Sequence, residues 1–247
     1  LFRSNTKQIP YYLIDICEAG EKYNLARYQK DFETALTQIK NNNQQPIVCG
    51  GTGLYIEAVL NNYNRTQFSD NIALRLTLLN NTKEELLNIY KKLNINNLKF
   101  DTSTNKRIIR AIEILSNTTT LDENKKRNDY LIFGVDIDRE SRRKKITKRL
   151  TERLNNGMIE EVQSLLAKGI PHTTLEYYGL EYKYVSKYLQ QELTFEQMHN
   201  KLNTEIHRYA KRQMTWYRRM ERNGFKINWI PHDITINDQI DRVKKLI

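Results

Sequence analysis

The sequence predicts an α/β protein, a parallel-sheet core flanked by helices and interrupted by a helical insertion. Three observations carry this reading. Two strand-like apolar runs, Pro10–Cys17 and Pro46–Cys49, each lead toward a helix-patterned segment, which is the order that a parallel sheet with crossover helices requires. From Tyr63 to about Arg127 only helical periodicity is found. Strand patterning then returns at Tyr130–Ile137 and Phe225–Trp229. The expected division is a core domain of residues 1–62 and 128–247 and a helical insertion of residues 63–127.

Each element has its own signal. Pro10–Cys17 (PYYLIDIC) is short, aromatic and rich in Ile, as a strand is. Asn24 can cap a helix over Leu25–Lys40, where Leu25, Tyr28, Phe32, Ala35, Leu36 and Ile39 have helical spacing. Pro46–Cys49 reads as a buried strand broken by Gly50-Gly51-Thr52-Gly53, after which Leu54–Leu60 resumes as helix. Helical patterns follow at Ile72–Leu79, Thr82–Leu93 and Thr104–Ser116, with Thr82 and Glu85 forming a capping box. The polar stretches Asn61–Asp70 and Asn117–Asn128 read as a loop and a return linker. Beyond the third strand, Arg139–Ala167 carries a stripe of Ile146, Leu150, Leu154, Ile159, Val162 and Leu166, with Asn155-Asn156-Gly157 as an interruption. A last long helix starts at a Thr194/Gln197 capping box and runs to Arg222. Its expected buried face is Phe195, Met198, Leu202, Ile206, Tyr209, Met214 and Tyr217.

Composition narrows the function. The 247 residues are 39% apolar and 28% charged, with mean hydropathy −0.72. That is enough for a core under a well-solvated surface. No apolar run approaches the roughly 18 residues of a transmembrane helix, and the first ten residues lack a signal-peptide pattern. Forty basic against 29 acidic residues give +11, a surplus that favours a polyanionic partner through counterion release. A membrane surface is disfavoured, because no helix pairs a wholly basic face with an exposed apolar one. Cys17 and Cys49 lie in apolar runs and read as buried free thiols of a reducing cytoplasm. The four histidines have no metal-ligand spacing, so no protein-held metal is expected.

Four segments have the residues for chemistry. In Pro46–Leu60 a strand runs through glycines into a helix start, whose unpaired N–H groups can receive a phosphate; Gly50, Gly51 and Gly53 allow close approach and Thr52 adds a hydroxyl. The same pattern also suits a tight turn with no ligand. It is not a Walker A loop, since no lysine follows the glycines. In Asn105–Ile114 (NKRIIRAIEI), Lys106, Arg107 and Arg110 crowd onto one and a half turns, as phosphate contacts or as a solvated face. Arg139–Arg149 (RESRRKKITKR) holds seven basic residues in eleven positions. Arg149 lies beside the Ile146/Leu150 stripe and is expected to point inward, at the sheet edge, toward an anion. In His207–Arg222, Lys211, Arg212, Arg218, Arg219 and Arg222 alternate with Tyr209, Trp216 and Tyr217. The aromatics are expected in the core and some of the cations on a nucleic acid.

These segments together resemble bacterial tRNA dimethylallyltransferases. CGGTGLYIEAVL (Cys49–Leu60), NKRIIRAIEI, GVDIDRE followed by Arg149, GMIEEV (Gly157–Val162) and AKRQMTWYRR (Ala210–Arg219) occur in that family's order, as does the run IPYYLIDI (Ile9–Ile16). The resemblance spans nearly the whole chain, and its weight lies in five motifs standing in order. It implies a core like that of P-loop nucleotide kinases and an inserted helical domain that grips the anticodon stem-loop of tRNA. It implies that adenine N6 attacks C1 of dimethylallyl diphosphate, that diphosphate leaves with Mg²⁺ assisting, and that the enzyme is a cytoplasmic monomer. By position, Thr52 is similar to the family's threonine at the channel mouth, and Arg149 to the arginine on the leaving diphosphate. Lys106, Arg107, Ile108, Ile109 and Arg110 match the tRNA-contacting helix. Arg75, Lys211 and Arg212 are further expected contacts.

The chain also departs from that pattern. Glu176–Glu181 (EYYGLE) falls where many members have a Gly-Tyr-Arg stretch; only Gly179 matches, and Leu180 and Glu181 replace the aromatic and the cation. The family opens with a Gly-rich, ATP-type phosphate loop ending in Gly-Lys-Thr. An aspartate in an Asp-Ser-x-Gln-x-Tyr stretch, its candidate base, comes next. Neither occurs in these 247 residues, and Leu1-Phe2-Arg3 reads as the tail of the second motif. The expectation is therefore a chain lacking its N-terminal segment, which binds tRNA better than it catalyses. The alternatives are a noncatalytic tRNA-binding module and another P-loop nucleotide kinase relative.

Overall fold

The computed structural model describes residues 9–63, 71–118 and 127–247. Residues 1–3, most of the polar loop after Tyr63 and most of the return linker lie outside the described residues. The elements run α1 (Leu25–Asn41), α2 (Gly53–Leu60), α3 (Ile72–Leu78), α4 (Lys83–Leu93), α5 (Asn105–Leu115), β1 (Ile132–Asp136), α6 (Arg139–Asn155), α7 (Met158–Ala167), α8 (His172–Tyr178), α9 (Leu180–Leu189), α10 (Phe195–Arg222), β2 (Ile227–Pro231) and α11 (Ile236–Lys244). The α/β class is as expected. Two compact units divide the chain, one of residues 1–23, 47–54 and 129–247, the other of residues 24–46 and 55–128. The second unit thus takes in α1 and the body of α2, which the sequence boundary at residue 63 assigns to the core domain.

In the first unit β1 and β2 pair in parallel, from Ile132↔Ile227 to Asp136↔Pro231. Gly134 is required there, because a Cβ on it would come 2.6 Å from the Trp229 ring. The helices between the strands bury Leu150, Leu154, Met158, Val162, Leu175, Val185, Met198 and Leu202 in one cluster. The break expected at Asn155-Asn156-Gly157 occurs: Gly157 has φ 91°, a conformation that favours glycine, and α7 starts after it. Both ends of the Thr194/Gln197 capping box are made.

Two expected strands do not form. Pro10–Cys17 and Pro46–Cys49 are irregular, Ile47 is 83% exposed and Cys49 is exposed. A strand exists only where a neighbour completes its hydrogen-bond ladder, and among the described residues these two segments have none. Two residues of the expected buried face of α10, Phe195 and Tyr209, are exposed as well. Met198 and Leu202 of that face are buried as expected, and Met220 is buried in the same helix's last turns.

Tyr182 ties α9 to α7 by donating to Glu161 Oε1 at 2.5 Å. Burial first, then this bond and the Glu161 charge, pushes its phenol up to about 12 from 10.0. The folded value lies above the unfolded one, so the contribution is complete below pH 10.0 and is lost as pH rises toward about 12. Tyr182→Phe is expected to lower stability at neutral pH and to flatten the alkaline decline, as read from urea midpoints between pH 8 and 12. A decline as steep as in the parent protein would show that another group titrates.

The second unit is helical. Leu78, Leu86, Ile108, Ile109 and Ile112 form its core. The Thr82/Glu85 capping box fixes the start of α4, and Asn24 caps α1. The Tyr28 and Tyr55 rings stack at 4.6 Å. Gln29 donates to the carbonyls of Ala58 and Tyr63.

Candidate functional site

The glycine turn of the first unit is seated on one face of α10. Tyr209, Gln213 and Trp216 stand at i, i+4 and i+7, which puts them on one side of the helix. The Gln213 amide donates to the Gly51 carbonyl at 2.7 Å, and the Tyr209 and Thr52 hydroxyls are 3.4 Å apart. Gly53 lies against Trp216: a Cβ there would be 2.7 Å from Cγ and nearer still to Cδ1. A Cβ on Gly51 would lie 2.6 Å from Gln213 Nε2, while Gly50 has open space around it. Gly53 is also the first residue of α2, so the N-terminal turn of that helix starts directly after Thr52.

Cations flank the aromatic face. The Arg219 guanidinium lies 3.9 Å from the Trp216 ring centroid and that of Arg212 5.9 Å from Tyr209. Lys211 is exposed beside them. Thr52 and Tyr209 are themselves exposed, so the described residues of this unit make a floor for a bound group rather than an enclosed channel.

α6 packs antiparallel along the same helix. Thr147 donates to Asn203 at 3.1 Å and meets His207 Nε2 at 3.4 Å. Burial, then the charges of Arg143 and Arg142, pushes the His207 imidazole below its usual value. At the other end of the pair, a groove is lined by Thr151, Leu154, Phe195 and His199. Arg142 and Arg143 therefore stand at the end of α6 that is nearest Tyr209 and Thr52.

Arg149 corrects an expectation. It is exposed rather than inward, because Leu150 and Leu154 occupy the core side of α6 and Arg149 is turned about 100° from Leu150. It also lies about 15 Å of helix rise from the start of α6, well away from the strand end.

The cations of the second unit are more engaged than their spacing suggested. Arg107 pairs with Asp101 at 2.6 Å. Arg75 and Arg110 both reach Glu113 Oε2, at 2.7 and 3.3 Å. Lys106 is exposed. Ile108 and Ile109 are buried in the helical core, on the packed side of α5. Gly179 separates α8 from α9 with φ 149°, and a Cβ there would meet nothing.

Sequence reading missed Gln213 and Tyr209 as partners of the turn and Glu113 as a hub. The i, i+4, i+7 spacing of Tyr209, Gln213 and Trp216 was the available signal, but it also fits a core face. Among the described residues no group of three or more His, Cys, Asp or Glu is placed to hold a metal ion. No helix among them is long and apolar enough to cross a membrane.

The profile of the family described as IPP transferase matches residues 3–220. tRNA dimethylallyltransferase 2 of Bacteroides fragilis is 47% identical over 244 residues, 98% of this chain and 80% of that protein. The solved tRNA delta(2)-isopentenylpyrophosphate transferase of Staphylococcus epidermidis superposes with a TM-score of 0.66 at 26% identity, covering 97% of this chain and 80% of that one. A eukaryotic dimethylallyltransferase acting on tRNA shares the fold, with a TM-score of 0.76 at 17% identity over 96% of this chain and 65% of that one.

Proposed function

The chain belongs to the IPP transferase family, and from that premise we propose that it is a tRNA dimethylallyltransferase whose prenyl donor is dimethylallyl diphosphate. The acceptor is N6 of the adenosine on the 3′ side of the anticodon. The N6–C1 bond forms, the C1–O bond breaks, diphosphate departs with the electron pair, and N6 gives up a proton to a base. The observation that carries this reading is the seating of the glycine turn on α10. Two of the shared motifs, CGGTG and AKRQMTW, fold into one site through Gly51–Gln213 and Gly53–Trp216, and Tyr209, just ahead of the second motif, adds its contact with Thr52.

In this reading Thr52, steadied by the Tyr209 hydroxyl, marks where the acceptor base meets the turn. Arg149 takes up charge on the departing diphosphate, which lowers the barrier only to the extent that the charge grows in the transition state. Magnesium is proposed to arrive on the diphosphate oxygens, as this cation commonly does. Exposed Lys106, Lys211 and Arg212 are the proposed tRNA phosphate contacts. Gly179, with open space at its α-carbon, is a further proposed contact.

The test is transfer of labelled dimethylallyl from its diphosphate to tRNA. Label should appear in tRNAs carrying adenosine at that position and in none where it is replaced. No transfer to any such tRNA would remove the enzyme reading. For binding, Lys106→Ala with Arg110→Ala is expected to weaken tRNA association. It should also flatten the log–log salt dependence by about one unit per lost phosphate contact. An unchanged slope would return this helix to a solvated surface.

A further inference from the structure

Residues 47–52 reach the site with little to fix them. Among the described residues no backbone–backbone hydrogen bond involves them, and they join no sheet. Ile47 and Val48 are 83% and 51% exposed, so neither apolar side chain anchors the segment. Two successive glycines, Gly50 and Gly51, add backbone freedom. A displacement of about 1 Å is enough to slow a positioned reaction, so a reacting group carried on this segment needs a tie from outside it.

Gln213 supplies that tie. Its Nε2 donates to the Gly51 carbonyl at 2.7 Å, from well inside the 28-residue α10. The Thr52–Tyr209 contact, at 3.4 Å, is the weaker of the two polar ties. Gly51 and Gln213 are matched to each other. A Cβ on Gly51 would lie 2.6 Å from Nε2 and 3.7 Å from Cδ, so a side chain there would drive the amide off the carbonyl. Gly51 is not among the glycines of positive φ, so the amide, and not the backbone conformation, is what asks for glycine.

The bond also sets a direction. No described peptide bond is cis, and in a trans unit the carbonyl and the N–H stand on opposite edges. The Gly51 carbonyl and the Thr52 N–H belong to one such unit. With the carbonyl edge bonded to Gln213, the Thr52 N–H is turned to the edge away from it. Gln213 is only partly buried and Gly51 is exposed, and a hydrogen bond in that setting adds little to stability. Its use is placement. We infer that Gln213 is a positioning residue for the transfer reaction: it fixes the Gly51–Thr52 peptide against α10 and so presents Thr52 to the acceptor base. The inference rests on the tRNA reading above and adds to it the residue that sets the threonine's place.

The test is a double-mutant cycle on kcat for transfer of dimethylallyl to tRNA by the full chain. Gln213→Ala removes the donor and suits a helix. Gly51→Ala leaves the donor and displaces it. Each alone should lower kcat by about tenfold. KM for tRNA, which follows the phosphate contacts, should hold, as should KM for dimethylallyl diphosphate. The double variant should lose about as much as either single one, because among the described residues only Gln213 comes within 4 Å of the added Cβ. Tm should stay near that of the parent in all three. Parent-like kcat in Gln213→Ala, or two losses that multiply in full, overturns the inference. A loss confined to KM for tRNA overturns it as well, since Gln213 would then be a binding contact. If the parent protein itself transferred nothing to tRNA, the functional reading would fail first, and this one with it.

Discussion

Gly53→Ala is expected to disrupt the site as much as the loss of a charged side chain would. The new methyl would come 2.7 Å from Trp216 Cγ and closer to Cδ1, both parts of a rigid ring rather than the end of a flexible chain. The ring has little room to yield, because Arg219 covers it at 3.9 Å and its Nε1 is buried. Overpacking of this kind costs about 1–3 kcal/mol. Relief by lifting the turn would also part Thr52 from Tyr209 and Gly51 from Gln213. Transfer to tRNA should therefore fall by on the order of 10²-fold, as it does when reacting groups are displaced by about 1 Å. Gly50→Ala, in open space, is the matched control. Equal loss in the two variants would mean that backbone freedom, and not the contact with Trp216, is what the turn needs.

Arg149→Ala is expected to lower kcat by about 10²-fold if its charge meets the departing diphosphate. The comparison that gives this result meaning is Arg142→Ala with Arg143→Ala. Those two cations lie at the end of α6 that faces His207, hence closer along the helix pair to Tyr209 and Thr52. An unchanged rate in Arg149→Ala, with a fall in the double variant, would move the diphosphate to the first turns of α6. Arg149 is exposed, so its removal should leave Tm almost unchanged. A large drop in Tm would point to a packing role instead.

The helices were the legible part of this fold. Capping boxes at Thr82/Glu85 and Thr194/Gln197, and the break at Gly157, are decided by neighbours within a turn, so sequence alone locates them. The strands were less so. Tyr130–Ile137 and Phe225–Trp229 contain β1 and the start of β2. Pro10–Cys17 and Pro46–Cys49 have equally good patterns and remain unpaired, because strand formation is settled by a distant partner. α8 and α9 escaped because neither has a side-chain cap and Gly179 divides them. At the site, the glycines and basic runs were visible. Whether a cation is offered outward or spent on a carboxylate was not, since Arg75 and Glu113 are far apart in sequence. The same limit pointed Arg149 inward, although α6 leaves it exposed.

α10 is one uninterrupted helix of 28 residues, with neither proline nor glycine between Phe195 and Arg222. Its early turns are locked into the hydrophobic cluster by Met198 and Leu202, and its later turns hold the glycine turn through Tyr209, Gln213 and Trp216. Such a rod has no joint at which displacement can dissipate. A change of packing at Leu202 would be delivered as an axial slide or rotation to a hydroxyl two turns away. Natural variation in that distant apolar layer is thus able to retune the reaction without altering any side chain that touches the substrates.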